Sequence, residues 1–142
     1  MIIQPIVDIP EIGHKHGIQY AVVSPGSRNA PVVMALARHR AIQCFVVPDE
    51  RSAGYIALGI AQSTGNPVFL TCTSGTATLN LSPAIAEAFY QQVPLIVLTA
   101  DRPPEWIDQN DNQAIRQNHL YKDHVLYSNT LPVLDNHSDS LR

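Results

Sequence analysis

The sequence predicts an α/β domain, a three-layer sandwich in which a mostly parallel sheet carries helices on both faces. Apolar runs alternate along the chain with segments of helical periodicity, and short turn-forming loops separate them. The apolar runs are continuous and do not alternate with polar residues, which is typical of parallel strands buried on both faces. The 142 residues are enough for one domain with a core, so a single domain over residues 1–142 is expected, and no internal repeat is visible.

Four strands are predicted, at residues 20–23, 42–47, 68–72 and 95–99. The first helix is expected to begin near Asp8, because Asp8 and Glu11 have the spacing of a capping box, and to stop at Gly17. Later helices are predicted at residues 30–39, between Asp49 and Gly65, and at 77–91. Pro83 either kinks the last of these or marks its true first turn.

The chain beyond the fourth strand is more polar. Residues 105–118 form a long stretch with little apolar periodicity, and loops of this length in compact domains are usually functional or disordered. We expect a short helix near residues 115–121 and a last strand at 124–131. Residues 135–142 carry cap-like polar side chains and read as the start of another element.

The composition narrows the class of protein. Of the 142 residues 45% are hydrophobic and 15% are charged, below the usual figure of about a quarter, which suggests that a partner subunit or further domains cover much of the surface. The net charge of -3 argues against nucleic-acid binding, and no long apolar span or signal peptide is evident. Cys44 and Cys72 read as buried small side chains in a reducing, cytoplasmic compartment.

Glu50 is the first candidate for a functional residue. Asp49 is a good helix N-cap after an apolar strand, so Glu50 should lie in the first turn of a helix, just past the carboxyl end of that strand. Ligands bind at this edge in open α/β sheets. From the residues alone, Glu50 is either an exposed carboxylate stabilised by the helix dipole or a catalytic residue.

Three other loops should meet Glu50 at the same edge, because parallel strands joined by right-handed crossovers end together. Two of them carry Arg28 and Arg102, whose guanidinium groups suit carboxylate or phosphate. An internal ion pair with Asp49 or Asp101 explains them equally well. The third, Ser74-Gly75-Thr76, fits a tight strand-to-helix turn better than an anion site and matches no nucleotide-binding fingerprint.

Five motifs give the chain a resemblance to a known family, from about residue 18 to residue 125. They are Ser-Pro-Gly-Ser-Arg at 24–28, Pro-Asp-Glu-Arg at 48–51, Thr-Ser-Gly-Thr-Ala at 73–77, Thr-Ala-Asp-Arg-Pro-Pro-Glu at 99–105 and Asn-Gln-Ala-Ile-Arg-Gln at 112–117. In this order and spacing they resemble the 2-succinyl-5-enolpyruvyl-6-hydroxy-3-cyclohexene-1-carboxylate synthases, thiamin-diphosphate enzymes of menaquinone biosynthesis. The last two motifs are the most particular to that family.

The resemblance implies roles for individual residues. Glu50 would be the catalytic glutamate that hydrogen-bonds ring nitrogen N1′ of the cofactor's aminopyrimidine, with Ser74, Gly75 and Thr76 beside the cofactor. The substrates would be two dicarboxylic acids, 2-oxoglutarate and isochorismate. The residues that would hold them are Ser27, Arg28, Arg102, Asn112 and Gln113.

The resemblance also implies that the chain is one part of a larger enzyme. In the family a separate later domain binds the diphosphate through Mg²⁺ or Mn²⁺ with a Gly-Asp-Gly motif, which this sequence lacks, so none of the present residues is expected to ligate the metal. The chain would be the pyrimidine-binding domain of a homodimer or homotetramer, and inactive alone. The alternatives are another thiamin-diphosphate enzyme, such as an acetolactate synthase-like or decarboxylase-like protein, and a non-catalytic binding or oligomerisation domain.

Overall fold

The computed structural model describes residues 4–131, which form a four-stranded sheet with helices on both faces. The strands are β1 (Tyr20–Val23), β2 (Gln43–Val46), β3 (Val68–Cys72) and β4 (Leu95–Thr99), in the spatial order β2-β1-β3-β4. All three pairings are parallel. The predicted α/β class is confirmed, and β1, β3 and β4 have the bounds that their apolar runs predict.

The helices divide between the two faces. They are α1 (Gln4–Lys15), α2 (Ala30–Arg38), α3 (Glu50–Thr64), the single turn α4 (Thr76–Leu79) and α5 (Ser82–Tyr90). One core cluster joins α1 and α2 to the sheet through residues such as Leu36 and Phe69. The other joins α3, α4 and α5 to it through residues such as Ala57 and Leu70. Helix, sheet and helix are therefore the three layers.

Side-chain alternation along the central strands explains the two cores. In β1, Val22 belongs to the cluster under α3, whereas Ala21 and Val23 belong to the cluster under α2. Every residue of β3 is buried, but β2 at one edge of the sheet is mostly exposed. Continuous apolar sequence is thus needed in the central strands, because both of their faces are covered.

The parallel register brings the carboxyl ends of all four strands to one edge. Val23 at the end of β1 pairs with Val46 of β2 and with Thr71 of β3, and Cys72 at the end of β3 pairs with Thr99 of β4. The loops that carry Arg28, Glu50, Gly75 and Arg102 each leave the sheet there. The expected convergence of the four loops at one edge is confirmed at the level of topology.

Helix α3 has the boundaries that its capping residues predict. The Asp49 side chain accepts a hydrogen bond from the Ser52 N–H at 2.7 Å, and Gly65 ends the helix with φ 67. Ala53, Ala57 and Ala61 form its buried stripe. At Gly54 an added Cβ would lie 2.8 Å from the Cβ of Ala84, so a glycine is needed where α3 crosses α5 closely.

The start predicted for the first helix is wrong. Helix α1 begins at Gln4, four residues before Asp8, and Pro10 lies buried inside it and not in its first turn. Glu11 makes no capping box, because its carboxylate instead contacts Lys15 at 3.2 Å and His39 at 3.0 Å. The end is as expected, since Gly17 follows the helix with φ 89.

Two predicted elements after β4 are also wrong. No helix spans residues 115–121 and no strand spans 124–131; this part contains turns and the 3-10 helices Pro104–Trp106 and Lys122–His124. Positive φ is found at four residues of this part, Asp108, Asn110, Gln113 and His119, which interrupts any regular element there.

Earlier in the chain, Pro83 lies in the first turn of α5, so the predicted helix at 77–91 is two helices. The element expected at 135–142 lies outside the described residues.

Among residues 4–131 no helix is long and apolar enough to span a bilayer. Cys44 and Cys72 are both free thiols, and they belong to the clusters on opposite faces of the sheet, so they do not face each other.

Candidate functional site

The loop after β1 is fixed to its neighbours by buried polar side chains. Asn29 is fully buried and donates hydrogen bonds to the Ser24 carbonyl at 3.0 Å and to Oγ1 of Thr71 at 3.4 Å. The Ser24 hydroxyl donates to the Val47 carbonyl at 2.8 Å. At Gly26 an added Cβ would lie 2.4 Å from the Cβ of Thr73, so the loops after β1 and β3 touch. At the carboxyl edge of the sheet, called the candidate edge below, the loop after β1 is thus in contact with residues at the ends of β2 and β3.

Glu50 lies at this edge as the first residue of α3, and it is half-buried. Nδ2 of Asn80, just after α4, donates a hydrogen bond to its Oε2 at 3.2 Å. The hydrogen bonds of residues 4–131 leave Oε1 without a protein donor. The helix N-terminus favours the negative charge, so the carboxylate is held in place by Asn80 with one oxygen free to accept.

The buried thiol of Cys72 lies at the end of β3, in the core cluster under α3. Burial, and secondarily the negative charge of Glu50, raise the pKa of Cys72 to about 12. The thiol therefore stays protonated at neutral pH and is unsuited to act as a nucleophile. Glu50, and not Cys72, is therefore the candidate functional group near the end of β3.

Ser74, Gly75 and Thr76 form the turn between β3 and α4. The Ser74 side chain is buried, and its Oγ has no hydrogen-bond partner among the described residues. Gly75 has φ 78 and ψ -139, and its N–H donates to Oε1 of Gln117 at 2.5 Å. That amide is therefore already engaged, whereas the Ser74 hydroxyl still lacks a partner.

Arg102 is paired inside the chain. Its guanidinium forms an ion pair with Asp111 and donates a hydrogen bond to the Asn112 carbonyl, and its side chain is only 8% exposed. Of the two explanations open at the sequence level, the ion pair is the one present, but with Asp111 and not with Asp101 or Asp49. Asp101 instead accepts a hydrogen bond from the Arg102 N–H at 2.7 Å.

Ser27 and Arg28 lie exposed in the loop after β1. Within residues 4–131 no carboxylate comes within ion-pairing distance of Arg28, so its charge faces solvent at the candidate edge. The geometry brings Arg28 to the same edge as Arg102 through the strand order but shows no direct contact between them.

The segment after β4 folds back over the ends of β3 and β4. Gln113 has φ 55, and its carbonyl oxygen lies only 1.7 Å from where a Cβ on Gly75 would be. Gln117 reaches both Gly75 and the Ala100 carbonyl, and the Tyr121 hydroxyl donates to the Thr78 carbonyl. Arg116, by contrast, is exposed and pairs with Asp108 at 2.8 Å. Within the motif at 112–117, Arg116 is thus solvated, whereas Gln117 anchors the segment.

The residues present fit part of a cofactor. The free Oε1 of Glu50 and the unpartnered Ser74 hydroxyl are an acceptor and a donor suited to a polar heterocycle. Among the described residues no group of three or more His, Cys, Asp or Glu side chains could hold a metal ion. Two shallow cavities of about 390 and 330 Å³ in the described part of the chain lie elsewhere and are lined by none of the candidate residues.

Asn80, Asn29, Asp111 and Gln117 were not singled out as site residues from the sequence. Each makes its contact with a residue that is 5 to 42 positions away, and so local periodicity carries no signal for it. Gln117 alone had a signal, since it ends the Asn-Gln-Ala-Ile-Arg-Gln motif.

Comparison with known proteins adds independent information. The family described as "Thiamine pyrophosphate enzyme, N-terminal TPP binding domain" matches residues 10–120. A protein of Cytophaga hutchinsonii named 2-succinyl-5-enolpyruvyl-6-hydroxy-3-cyclohexene-1-carboxylate synthase is 60% identical over 121 residues, 85% of this chain and 22% of the relative. A protein of the same name from Bacteroides thetaiotaomicron is 46% identical over 134 residues, 94% of this chain and 24% of the relative.

These matches cover most of this chain but a small part of each relative. The chain spans between about a fifth and a quarter of the length of the curated relatives it matches. The family match, however, extends over more than half of the chain and includes the loops of Arg28, Glu50, Gly75 and Arg102. The chain belongs to the thiamine pyrophosphate enzymes and carries their N-terminal TPP binding domain.

Proposed function

We propose that this chain is the pyrimidine-binding domain of a synthase that decarboxylates 2-oxoglutarate and joins the product to isochorismate in menaquinone biosynthesis. The names of the relatives support this assignment. The observation that carries it is the carboxylate of Glu50, held by Asn80 at the start of α3 with Oε1 free, at the carboxyl edge of the sheet. Bound thiamin diphosphate would supply the electron sink for decarboxylation and carbon–carbon bond formation.

The role proposed for Glu50 is to hydrogen-bond N1′ of the cofactor's pyrimidine ring through Oε1, which would accept when N1′ carries a proton and so would favour that form of the ring. Asn80 would hold the other oxygen, which fixes the direction of the free one. The Ser74 hydroxyl would donate to the same ring, with Gly75 and Thr76 shaping the turn beside it. Because Gly75 already donates its N–H to Gln117, its contribution would be close approach and not a hydrogen bond.

The substrate carboxylates would be bound by the other loops. The solvent-facing charge of Arg28 is available for a carboxylate, with Ser27 next to it. Arg102 is ion-paired to Asp111, so its contact with a substrate would require that this pair opens or that the guanidinium is shared. Asn112 and Gln113 are exposed on the segment that Arg102 contacts, which supports a role for both at the same edge.

The remainder of the active site is proposed to come from further sequence. The chain corresponds to 22–24% of the relatives, and no group of metal ligands lies among residues 4–131, so the diphosphate with Mg²⁺ or Mn²⁺ would be bound by another domain. Exposed apolar side chains such as Val46 (66%) and Tyr90 (73%) support coverage by that domain or by a second subunit in a homodimer or homotetramer. The free thiols of Cys44 and Cys72 support a reducing, cytoplasmic setting.

A chimera tests the proposal. Residues of this chain replace the aligned 121-residue segment of the Cytophaga hutchinsonii relative, whose 60% identity should preserve the domain contacts. We expect decarboxylation of 2-oxoglutarate that depends on thiamin diphosphate, and product formation when isochorismate is added. We expect no turnover of pyruvate. Turnover with pyruvate would favour the acetolactate synthase-like alternative.

The Glu50→Gln variant of this chimera tests the role of the carboxylate. We expect kcat to fall by roughly 100-fold or more, because an amide cannot replace a carboxylate in proton transfer. Glu87→Gln is the matched control, since Glu87 is exposed on α5. Equal activities of both variants would contradict the assignment. The purified 142-residue chain alone is expected to be inactive, and detectable decarboxylation by it would show this expectation wrong.

A further inference from the structure

The side-chain amide of Gln117 bridges two strand ends. Its Nε2 donates a hydrogen bond to the Ala100 carbonyl at 2.8 Å, and its Oε1 accepts one from the Gly75 N–H at 2.5 Å. Ala100 directly follows β4 and Gly75 follows β3, so one side chain joins both to the segment after β4. The bridge is partly buried, and Gln117 lies 42 positions after Gly75 and 17 positions after Ala100 in the sequence.

The segment that this bridge closes carries three of the candidate substrate residues. Between Ala100 and Gln117 the chain leaves the sheet, makes the Arg102 contacts with Asp111 and Asn112, and returns over Gly75. The return places the Gln113 carbonyl where only a glycine fits beneath it. Gln117 therefore fixes one end of the stretch that bears Arg102, Asn112 and Gln113.

We propose that Gln117 is a positioning residue, which holds the substrate-binding segment against the cofactor-side turn at Gly75 without touching substrate itself. The identity of the substrate in this inference rests on the proposed function. The bridge itself does not, because it is given by the two hydrogen bonds of Gln117. It gives a role to the last residue of the Asn-Gln-Ala-Ile-Arg-Gln motif, and it predicts that loss of the bridge weakens substrate binding more than it slows the chemical step.

The chemistry of the bridge restricts which side chain can form it. One end must donate to a carbonyl and the other must accept from an N–H, at the length of glutamine. An ionised glutamate at position 117 could still accept a hydrogen bond from the Gly75 N–H. Its other oxygen would face the Ala100 carbonyl, and two acceptors cannot form a hydrogen bond. A protonated glutamate restores the donor, so a Gln117→Glu variant should regain the bridge as the pH falls. Asp101 and Arg102 follow Ala100 directly, and Arg102 is ion-paired with Asp111, so every comparison is made with wild-type protein at the same pH.

The first experiment measures amide hydrogen exchange by NMR in the 142-residue chain. In Gln117→Glu at pH 7 we expect the protection factor of the Gly75 amide to fall about tenfold, as for a lost hydrogen bond. Part of this protection should return at pH 4.5, where the carboxyl group is partly protonated. Gln117→Leu should lose the protection at both pH values. The control is Gln109→Glu, which adds the same charge to an exposed position in the same segment.

The second experiment measures kinetics in the chimera described above. For Gln117→Glu at pH 7 we expect KM for 2-oxoglutarate to rise about tenfold while kcat changes less than about threefold, and the KM ratio to wild type should shrink as the pH is lowered. A purely structural role would lower the amount of folded enzyme without this split.

Three outcomes would overturn the inference. They are unchanged Gly75 protection in both Gln117 variants, lost protection in Gln117→Glu that does not return at pH 4.5, and an active parent chimera whose KM is unaffected by Gln117→Glu. An inactive parent chimera would instead count against the proposed function, and the exchange measurement would still decide whether Gln117 holds the segment.

Discussion

The sheet with its helices and the segment after β4 are held in place by different means. Apart from Pro10, all buried hydrophobic residues of the described chain lie between Ile18 and Ala88. The segment from Ala100 to Val125 contributes only partly buried side chains, such as Tyr121 and Val125, to that core. It is held by single polar contacts, namely Gln117 with Gly75 and Ala100, Arg102 with Asp111, and Tyr121 with Thr78.

This difference separates the two proposed tasks of the site. Glu50 lies on a capped helix whose buried stripe packs on the sheet, so its position is set by the fold as a whole. Arg102, Asn112 and Gln113 lie where few apolar contacts oppose local opening. The cofactor side would therefore be rigid, and the substrate side would be able to adjust when ligand binds.

Loss of core packing should give the largest effect. Leu70 in β3 is fully buried, and we expect Leu70→Ala to lower the free energy of unfolding by about 2–5 kcal/mol because a cavity is left in the core. Leu126, which is 97% exposed, is the matched control. Leu126→Ala should change the free energy of unfolding by less than about 0.5 kcal/mol. Urea denaturation measures both. Similar losses for the two variants would show that the segment is part of the cooperative core.

A methyl group at the contact between the two parts should give the next largest effect. In Gly75→Ala the positive φ alone costs about 1–3 kcal/mol, and the added Cβ would also displace the Gln113 carbonyl. Gly59, inside α3, has no atom within 4 Å of an added Cβ, so Gly59→Ala should stabilise by about 0.5–1 kcal/mol. Opposite shifts of the urea midpoint are expected. Equal midpoints for wild type and Gly75→Ala would mean that the segment does not rest on Gly75.

The same division decides what could be predicted from the sequence. Strands β1, β3 and β4 were predicted with their observed bounds, because a parallel sheet covered on both faces demands continuous apolar runs. Helix α3 was predicted because Asp49 and Gly65 act on their own neighbours. Local rules also located Glu50 at the start of this helix. These features depend on residues close in sequence.

The segment after β4 followed no such rule. The strand expected at 124–131 is absent, and so is the helix expected at 115–121, where His119 adopts a positive φ. The anchoring contacts of Gln117 and Tyr121 reach residues more than 40 positions away. The partner of Arg102 was missed for a related reason. Asp101 is adjacent in sequence, but the fold of the segment brings Asp111 to the guanidinium instead.

Alkaline pH should give the smallest effect at its onset near pH 9, and it distinguishes Cys72 in the core from Tyr121 in the segment after β4. Burial, with the charge of Glu50, raises the pKa of Cys72 from 9.0 to about 12, and burial, with the nearby Cys72, raises the pKa of Tyr121 above its ordinary 10.0. Above pH 9 the unfolded chain therefore releases protons that the folded chain keeps. Stability should fall by up to about 1.4 kcal/mol per pH unit for each group, beginning at pH 9 for Cys72 and at pH 10 for Tyr121.

Two variants separate these contributions. Cys72→Ala should show a shallower decline from pH 9, and Tyr121→Phe a shallower decline only above pH 10. Tyr121→Phe should also be less stable at pH 8, since it loses the hydrogen bond to the Thr78 carbonyl. Urea unfolding at half-unit steps from pH 8 to 10.5 measures the slopes. If Tyr121→Phe declined as steeply as wild type above pH 10, the phenol would titrate alike in both states, and the segment would not be anchored at Tyr121. A shallower slope would establish that the last residues of the segment fold together with the sheet, so that any freedom on the substrate side is confined between Arg102 and Gln117.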